Sequence, residues 1–182
     1  MEFNFPGYPV KFIQRQRSKD DSAHLFTLIY KFFSPKTKYH YIIRAEYHNE
    51  DVFAIKFYCK KDRKSEIKYS KIINKGDLGN IFISCINILP EIVNRYPSAS
   101  FVIHGARSYD PRSDKVEHST NTQRFRIYKY LANEKIGHET FAHFEYEDIS
   151  GYMLVNRSSG DIMERERLIA KMLASTYNEI SI

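Results

Sequence analysis

The stretch that decides the fold is residues 25–60, which contain three runs of aromatic and β-branched residues: LFTLIYKFF (25–33), KYHYIIRAEY (38–47) and VFAIKFYCK (52–60). Residues of these types are enriched in β-strands. The short polar segments SPKT and HNED separate the runs, as is typical of strands joined by tight turns. The sequence therefore predicts an antiparallel meander of three strands.

Beyond the meander, the apolar pattern alternates between helices and strands. In residues 81–92, apolar side chains recur three or four positions apart, as on one face of a helix, and Pro90 is expected to kink or interrupt that helix. The run 99–105 predicts a buried strand, and a long loop, 106–121, follows it. Asn121 or Thr122 can cap the next helix, which stops at Gly137. Two strands, 140–148 and 149–157, and a terminal helix that opens at Asp161 complete the pattern.

The predicted order βββ-α-β-α-ββ-α gives the fold class. A single βαβ-like passage within a mostly antiparallel order implies a mixed sheet with helices packed on it. We therefore expect an α+β protein. The 182 residues suit one domain, in which 1–24 form an N-terminal extension and 160–182 the C-terminal helix.

Composition limits the classes of partner. The net charge of +6 favours an anionic partner, either a ligand or a nucleic acid. Cys59 and Cys85 lie within apolar patterns, which predicts two reduced, buried thiols. No stretch is apolar over the length that spans a bilayer. We expect a soluble, cytoplasmic protein with no membrane partner.

Over residues 25–157, the predicted order resembles the second half of the GNAT acyltransferase fold. Enzymes of that family bind the pyrophosphate of acyl-CoA at an R/Q-x-x-G-x-G/A turn before a helix, where backbone N–H groups are unpaired. The corresponding stretch here is IINKGDLGNIF (72–82). The resemblance implies that acyl-CoA is the cofactor, that Lys75 supplies a cation, and that Gly76 and Gly79 allow the backbone to approach the phosphates.

The same turn departs from the GNAT pattern and allows two other interpretations. Ile73 and Leu78 replace the Arg or Gln and the second small residue, and Asp77 would repel a phosphate. The GDLG segment also matches the GxxG loop of KH domains, which clamps an RNA backbone. Alternatively, Asp77 is the N-cap of the following helix, with its carboxylate accepting from N–H groups of the first turn.

A second resemblance is more local. KGD (75–77), HGARS (104–108) and RFRIY (124–128) are similar to motifs of a family of small bacterial proteins with TGD, then GS, then RxRxY. That family has no established activity. The resemblance implies a shared fold rather than a particular function.

Arginines near the second helix form the main candidate site. Arg124 and Arg126 fall in its first turn, where the helix dipole disfavours cations. If Gly105 ends its strand beside this turn, the arginines and the helix N–H groups can converge on a phosphate. The predicted phosphate-binding residues are Lys75, Gly76, Gly79, Gly105, Arg107, Arg112, Arg124, Arg126 and Tyr128. Alternatively, Arg124 and Arg126 face solvent or pair with Asp110, Asp114, Glu117 or Glu134.

Candidates for catalysis and metal binding are few. His104, beside Gly105 at a strand end, is the one histidine placed for general-base work, although a structural role is also open. His138, His143 and Glu145 lie close in sequence but lack the ligands of a complete metal site. We therefore predict no metal.

Two functional classes follow from these observations. In the first, the chain binds a phosphate-bearing ligand, acyl-CoA or a nucleotide, at the corner formed by glycines and arginines. In the second, it is a non-enzymatic module that binds nucleic acid or a partner protein, as in toxin–antitoxin or phage-defence systems, with Lys and Arg contacting phosphates and exposed rings stacking on bases. A nucleic-acid binder should lose affinity steeply between low and moderate salt, whereas a ligand held in a pocket should not. The salt dependence of binding therefore separates the two classes.

Overall fold

Seven strands form one mixed sheet in the structure, a computed structural model that describes residues 4–71, 76–110 and 112–177. The helices are α1 (Leu78–Ile86), α2 (Leu89–Arg95), α3 (Gln123–Lys135) and α4 (Ile162–Thr176). The strands are β1 (Lys11–Arg17), β2 (His24–Ser34), β3 (Tyr39–His48), β4 (Val52–Cys59), β5 (Ser100–His104), β6 (Tyr109–Asp110), β7 (Lys115–Val116), β8 (Phe141–Tyr146) and β9 (Gly151–Asn156).

The sheet has the strand order β1-β2-β3-β4-β5-β9-β8. All neighbouring strands in it are antiparallel except β4 and β5, which are parallel and are connected through α1 and α2. The predicted α+β class with a mixed, mostly antiparallel sheet is confirmed. The predicted meander is also confirmed, as β2, β3 and β4.

The structure differs from the sequence-based expectation at β1 and in the loop 106–121, and it agrees with the expected interruption of the helix over 81–92. The segment treated as an N-terminal extension contains β1, whose side chains are mostly exposed, so its sequence lacks the apolar alternation of a half-buried strand. The helix over 81–92 is interrupted, as expected: α1 ends at Ile86 and α2 begins at Leu89, with Pro90 in the first turn of α2, where its missing N–H is tolerated. The loop 106–121 carries the small hairpin of β6 and β7.

Helices cover the two faces of the sheet unequally. On one face, α1, α2 and α3 pack on β2 to β5 around buried aromatic rings, among them those of Phe53, Phe82, Phe101 and Tyr128. On the other face, α4 covers the half of the sheet around β9 through Ile169, Ala170 and Leu173. That face of β1 to β3 carries no helix among the described residues.

Cys59 and Cys85 are free and buried, as predicted. No helix in the described ranges is both long and apolar enough to cross a lipid bilayer.

The parallel pair β4 and β5 separates partway along its length. Its register runs from Val52 opposite Ser100 to Ile55 opposite Ile103. β5 ends one residue later, whereas β4 continues to Cys59. The second half of β4 therefore has no partner on the β5 side, and a gap opens there.

Candidate functional site

A cavity of about 510 Å³ lies at this gap between β4 and β5. Ile55, Lys56 and Phe57, which are consecutive on β4, all line it. Because neighbouring residues of a strand point to opposite faces, a cavity that contacts all three lies alongside the strand, within the gap that β5 leaves. We call it the β4–β5 cavity.

The inner wall of the cavity is apolar. It includes Phe82 and Cys85 of α1 and Tyr128 of α3. The rings of Phe82 and Tyr128 stack with centroids 4.1 Å apart and planes inclined by 13°. Burial raises the pKa of the Cys85 thiol, so the thiol stays protonated and is not a nucleophile at neutral pH.

Three nitrogen-bearing side chains also line the cavity: Lys56, His104 and Arg124. The Lys56 ammonium lies 2.9 Å from the Glu46 carboxylate and 5.1 Å from the centroid of the Tyr177 ring. His104 is exposed, at the end of β5. Lys56 and Arg124 thus place positive charge at a cavity whose inner wall is apolar.

Arg124 is held by backbone carbonyl groups rather than by acids. Its guanidinium donates to the carbonyl oxygens of Tyr69 and Lys71, the latter at 2.7 Å, and the residue is only 9% exposed. A guanidinium has five N–H donors, of which these two bonds use two. The first-turn position therefore allows the side chain to fasten the segment around Tyr69 to α3 at the edge of the cavity.

Backbone N–H groups at the N-terminus of α3 donate hydrogen bonds to a carboxylate and a hydroxyl group of the chain itself. The Thr122 hydroxyl accepts from the Phe125 N–H at 3.1 Å, so Thr122 is the N-cap, and it donates to the Gly105 carbonyl at 2.7 Å. The Glu117 carboxylate accepts from the backbone N–H groups of Gln123, at 2.6 Å, and Ser108, at 3.0 Å. The negative charge at this helix end comes from Glu117.

The structure brings only some of the predicted phosphate-binding residues to the cavity. Arg124 and Tyr128 line it, as does His104, which was predicted as a candidate general base rather than a phosphate ligand. Gly105 packs beneath the first turn of α3, where an added Cβ would lie 2.6 Å from the Phe125 nitrogen. The side chains of Arg107, Arg112 and Arg126 are exposed, and Arg126 donates to the Asn121 carbonyl at 2.6 Å.

The Gly76 turn lies apart from the residues that line the cavity, and Lys75 is outside the described residues. Gly76 has a φ of +68°, and its carbonyl accepts from the Lys36 ammonium at 3.0 Å. At Gly79, an added Cβ would lie 2.6 Å from the Phe5 ring. The Phe5 ring therefore occupies the space in which the GNAT resemblance would place a phosphate.

The prediction that the Asp77 carboxylate accepts hydrogen bonds from backbone N–H groups in the first turn of α1 is wrong. Asp77 occupies the N-cap position of α1, but its carboxylate accepts no first-turn backbone N–H. The carboxylate is buried and instead accepts from the side chains of Tyr8, Ser34 and Asn80 at 2.5–3.0 Å. It thus ties the N-terminal segment and the end of β2 to α1.

Sequence reasoning did not identify Lys56, Tyr69 and Tyr177 as residues of the cavity. One signal for Lys56 was available, because it is the only charged residue in VFAIKFYC, the sequence of β4. A charge within an apolar strand needs a partner or access to solvent, and Lys56 pairs with Glu46 and lines the β4–β5 cavity. Tyr69 and Tyr177 lie far apart in sequence, and no local pattern connects them.

The candidate metal residues do not form a ligand set. The rings of His138 and His143 stack with centroids 3.8 Å apart, and Glu145 pairs with Lys129 at 2.6 Å. In the part of the chain that the structure describes, no group of three His, Cys, Asp or Glu side chains is placed to hold a metal ion.

Arg124→Gln is expected to lower the free energy of unfolding by about 2 kcal/mol, because it removes two charge-assisted hydrogen bonds and leaves carbonyl oxygens unpaired. Arg126→Gln is the matched control, since Arg126 lies two residues away but is exposed, and it should change stability by less than about 0.5 kcal/mol. Urea unfolding of both variants measures the difference. Equal effects would contradict the structural role of Arg124.

No family model, no curated protein and no solved structure matches this chain.

Proposed function

We propose that this chain binds a phosphate-bearing small molecule, of the acyl-CoA or nucleotide class, in the β4–β5 cavity. The observation that carries the proposal is the combination, in one cavity, of an apolar inner wall and a positively charged side. An acyl chain or a base has apolar surface to bury, whereas its phosphates need cations. The cavity offers both.

The size and position of the cavity support a binding role. Small-molecule sites in proteins have volumes of about 300–1,000 Å³ and combine apolar walls with a few polar groups. The β4–β5 cavity, at about 510 Å³, is within this range. It also lies towards the carboxyl ends of two parallel strands, the edge at which sheets with parallel strands usually bind ligands.

Each of the three nitrogen-bearing side chains has a distinct expected role. Arg124 is fixed in place by the carbonyl groups of Tyr69 and Lys71, so its remaining N–H donors are preorganised for a phosphate. Lys56 shares the charge of Glu46 with Arg44 and is the weaker of the two cations. His104 would contact the ligand from the end of β5.

The GNAT resemblance is compatible with this proposal only if the ligand lies away from the Gly76 turn. Asp77 places a buried carboxylate at the N-terminus of α1, and the Phe5 ring packs on Gly79. We therefore assign the phosphates to the side of the cavity that Lys56, His104 and Arg124 line, rather than to the turn.

The proposal concerns binding rather than a reaction. Tyr128 is fully buried, and burial raises its pKa, so its hydroxyl can donate a hydrogen bond to a ligand but does not act as a base near neutral pH. His104 is the remaining candidate for proton transfer to or from a bound ligand.

Ala106→Phe tests the site, because Ala106 lines the cavity and a phenyl ring there would reduce its volume. We expect the variant to bind acetyl-CoA or ATP at least tenfold more weakly than the parent, as measured by calorimetry. Val116→Phe is the matched control, since Val116 is exposed in the same loop and does not line the cavity, and it should bind like the parent.

Two results would overturn the proposal. One is the absence of binding of acetyl-CoA, CoA, ATP and ADP to the parent protein at millimolar concentration. The other is equal binding by the parent and Ala106→Phe, because the ligand would then lie elsewhere. Unchanged unfolding midpoints for the two phenylalanine variants establish that both are folded.

A further inference from the structure

The face of the sheet opposite α1, α2 and α3 carries a row of cations and rings over β1 to β4. One cross-strand row runs Lys11, Lys31, Ile42 and Tyr58, as the strand registers place these residues opposite one another. We call the side chains of β1 to β4 that point away from α1, α2 and α3, outside the area under α4, the open face.

Aromatic rings are presented at the end of the open face. Phe33 is 43% exposed, and its ring lies 5.0 Å from that of His40, its partner on β3. The Tyr58 ring lies 5.6 Å from the Tyr69 ring, and the Lys68 ammonium lies 4.8 Å from the centroid of Tyr58. Phe33 is thus the exposed ring at this end of the face, and Tyr58 is flanked by Tyr69 and Lys68.

The charge of the open face is strongly positive. Lys11, Lys31, Arg44 and Lys56 occupy strand positions on it, and Glu46 is the one carboxylate among those positions in the described residues. Glu46 is buried and already paired with both Arg44 and Lys56. Lys11 and Lys31 lie directly opposite each other, so their charges repel each other. An anion bound between them would reduce this repulsion.

We propose that the open face binds single-stranded nucleic acid, with bases stacked on Phe33 and Tyr58 and phosphates bound by Lys11 and Lys31. The exposed Phe33 ring and the half-buried Tyr58 ring can stack on the faces of unpaired bases, and the nearby cations match the charge of the backbone. In a duplex the bases stack on one another, so its phosphates could contact the lysines but its bases could not stack on the rings. This inference is independent of the proposed ligand in the β4–β5 cavity.

Fluorescence anisotropy with labelled 12-mers of oligo(U) and oligo(dT) tests the inference. We expect binding that weakens by about sevenfold between 50 and 200 mM salt if the two lysines each contact one phosphate. A 12-base-pair duplex should bind at least tenfold more weakly than the single strands at the same salt concentration. Equal binding of duplex and single strand would overturn the stacking role of the rings.

Single substitutions distinguish the contribution of the rings to binding from that of the cations. Phe33→Ala should weaken oligo(U) binding about tenfold without changing the salt dependence. Lys31→Gln should reduce the slope of log affinity against log salt by about 0.7, the value for one phosphate contact. Tyr130→Ala and Lys135→Gln, at exposed positions of α3, are the matched controls and should bind like the parent.

Two results would refute the open face as the binding surface. The first is no binding of either single strand by the parent at 50 mM salt. The second is loss of affinity in the α3 controls equal to that in the open-face variants. Phe33 and Lys31 do not line the β4–β5 cavity, so these variants leave acetyl-CoA or ATP binding unaffected, and each proposal can fail without the other.

Discussion

Gly105→Ala is expected to lower the free energy of unfolding by about 3 kcal/mol, the upper end of the usual effect of overpacking. The added Cβ would lie 2.6 Å from the backbone nitrogen of Phe125 and 2.8 Å from its Cα. Backbone atoms cannot rotate away as a side chain can. Either β5 or the first turn of α3 would have to move.

Hydrogen bonds on both sides of Gly105 oppose such a movement. The Gly105 N–H donates to the Ser150 carbonyl at 2.8 Å, and the Gly105 carbonyl accepts from the Thr122 hydroxyl at 2.7 Å. A shift of α3 would also displace Arg124 and Tyr128, which line the cavity. We therefore expect the variant to lose stability and, if the proposed ligand binds in the β4–β5 cavity, to bind it more weakly.

Gly137→Ala is the matched control for Gly105→Ala. An added Cβ at Gly137 would have no neighbouring atom within 4 Å, and the residue is exposed. The substitution should leave stability unchanged or raise it by about 0.5 kcal/mol through the unfolded chain. Urea unfolding of both variants gives the comparison. Similar losses in the two would show that close packing at Gly105 is not the cause.

The fold class could be predicted because it depends on patterns within each element. Apolar runs of strand length and the helical spacing around Ile81 and Cys85 gave the main elements in the correct order. β1 was not predicted, because an edge strand with exposed side chains has no apolar face to mark it. Its place in the sheet depends on pairing with β2, which is not a property of its own sequence.

The candidate site could be predicted only in part, because a cavity depends on distances between elements. The sequence identified His104, Arg124 and Tyr128, which lie next to one strand end and one helix start. It grouped Arg124 and Tyr128 with Arg107 and Arg112, since nearness in sequence was the available guide. The carbonyl groups that bind Arg124 come from Tyr69 and Lys71, more than 50 residues earlier, and no local pattern indicates them.

Stability is expected to fall by about 3 kcal/mol as the pH drops from 6.5 to 4, because His48 must remain neutral in the folded protein. Burial lowers the pKa of His48 from its ordinary 6.5 to about 4, and the side chain is fully buried. Its Nδ1 lies 2.8 Å from the Glu46 carbonyl oxygen, which can only accept. Nδ1 therefore carries the proton, and Nε2 accepts from the Tyr177 hydroxyl at 2.6 Å.

The direction of the pH effect follows from where protons bind. Between pH 4 and 6.5, the histidine of the unfolded chain takes up a proton that the folded protein does not bind at His48, so acid favours unfolding. The neighbouring charges of His24 and Lys56 also oppose protonation of His48, whereas Glu46 favours it. The stabilising effect is complete above pH 6.5 and is lost towards pH 4.

Shifted pKa values at His143 and Glu46 also affect the stability at acid pH. Burial lowers the pKa of His143 to about 4, with help from His138 and Arg157, and its smaller burial implies a smaller contribution in the same pH range. Burial would raise the pKa of Glu46, but its ion pairs with Lys56 and Arg44 outweigh burial and hold it below its usual value. The stability that the ionised Glu46 carboxylate contributes is therefore lost as the pH falls through its lowered pKa.

His48→Gln isolates the contribution of His48. Urea unfolding at several pH values between 4.5 and 7.5 should show, for the parent, a stability that rises with pH by up to about 1.4 kcal/mol per pH unit from this residue. In His48→Gln, that part of the slope should disappear, although the variant is less stable at pH 7.5 because packing is lost. His40→Gln, at an exposed position on the same strand, should keep the slope of the parent. An unchanged slope in His48→Gln would mean that its neutral, doubly hydrogen-bonded form does not control the acid sensitivity of the fold.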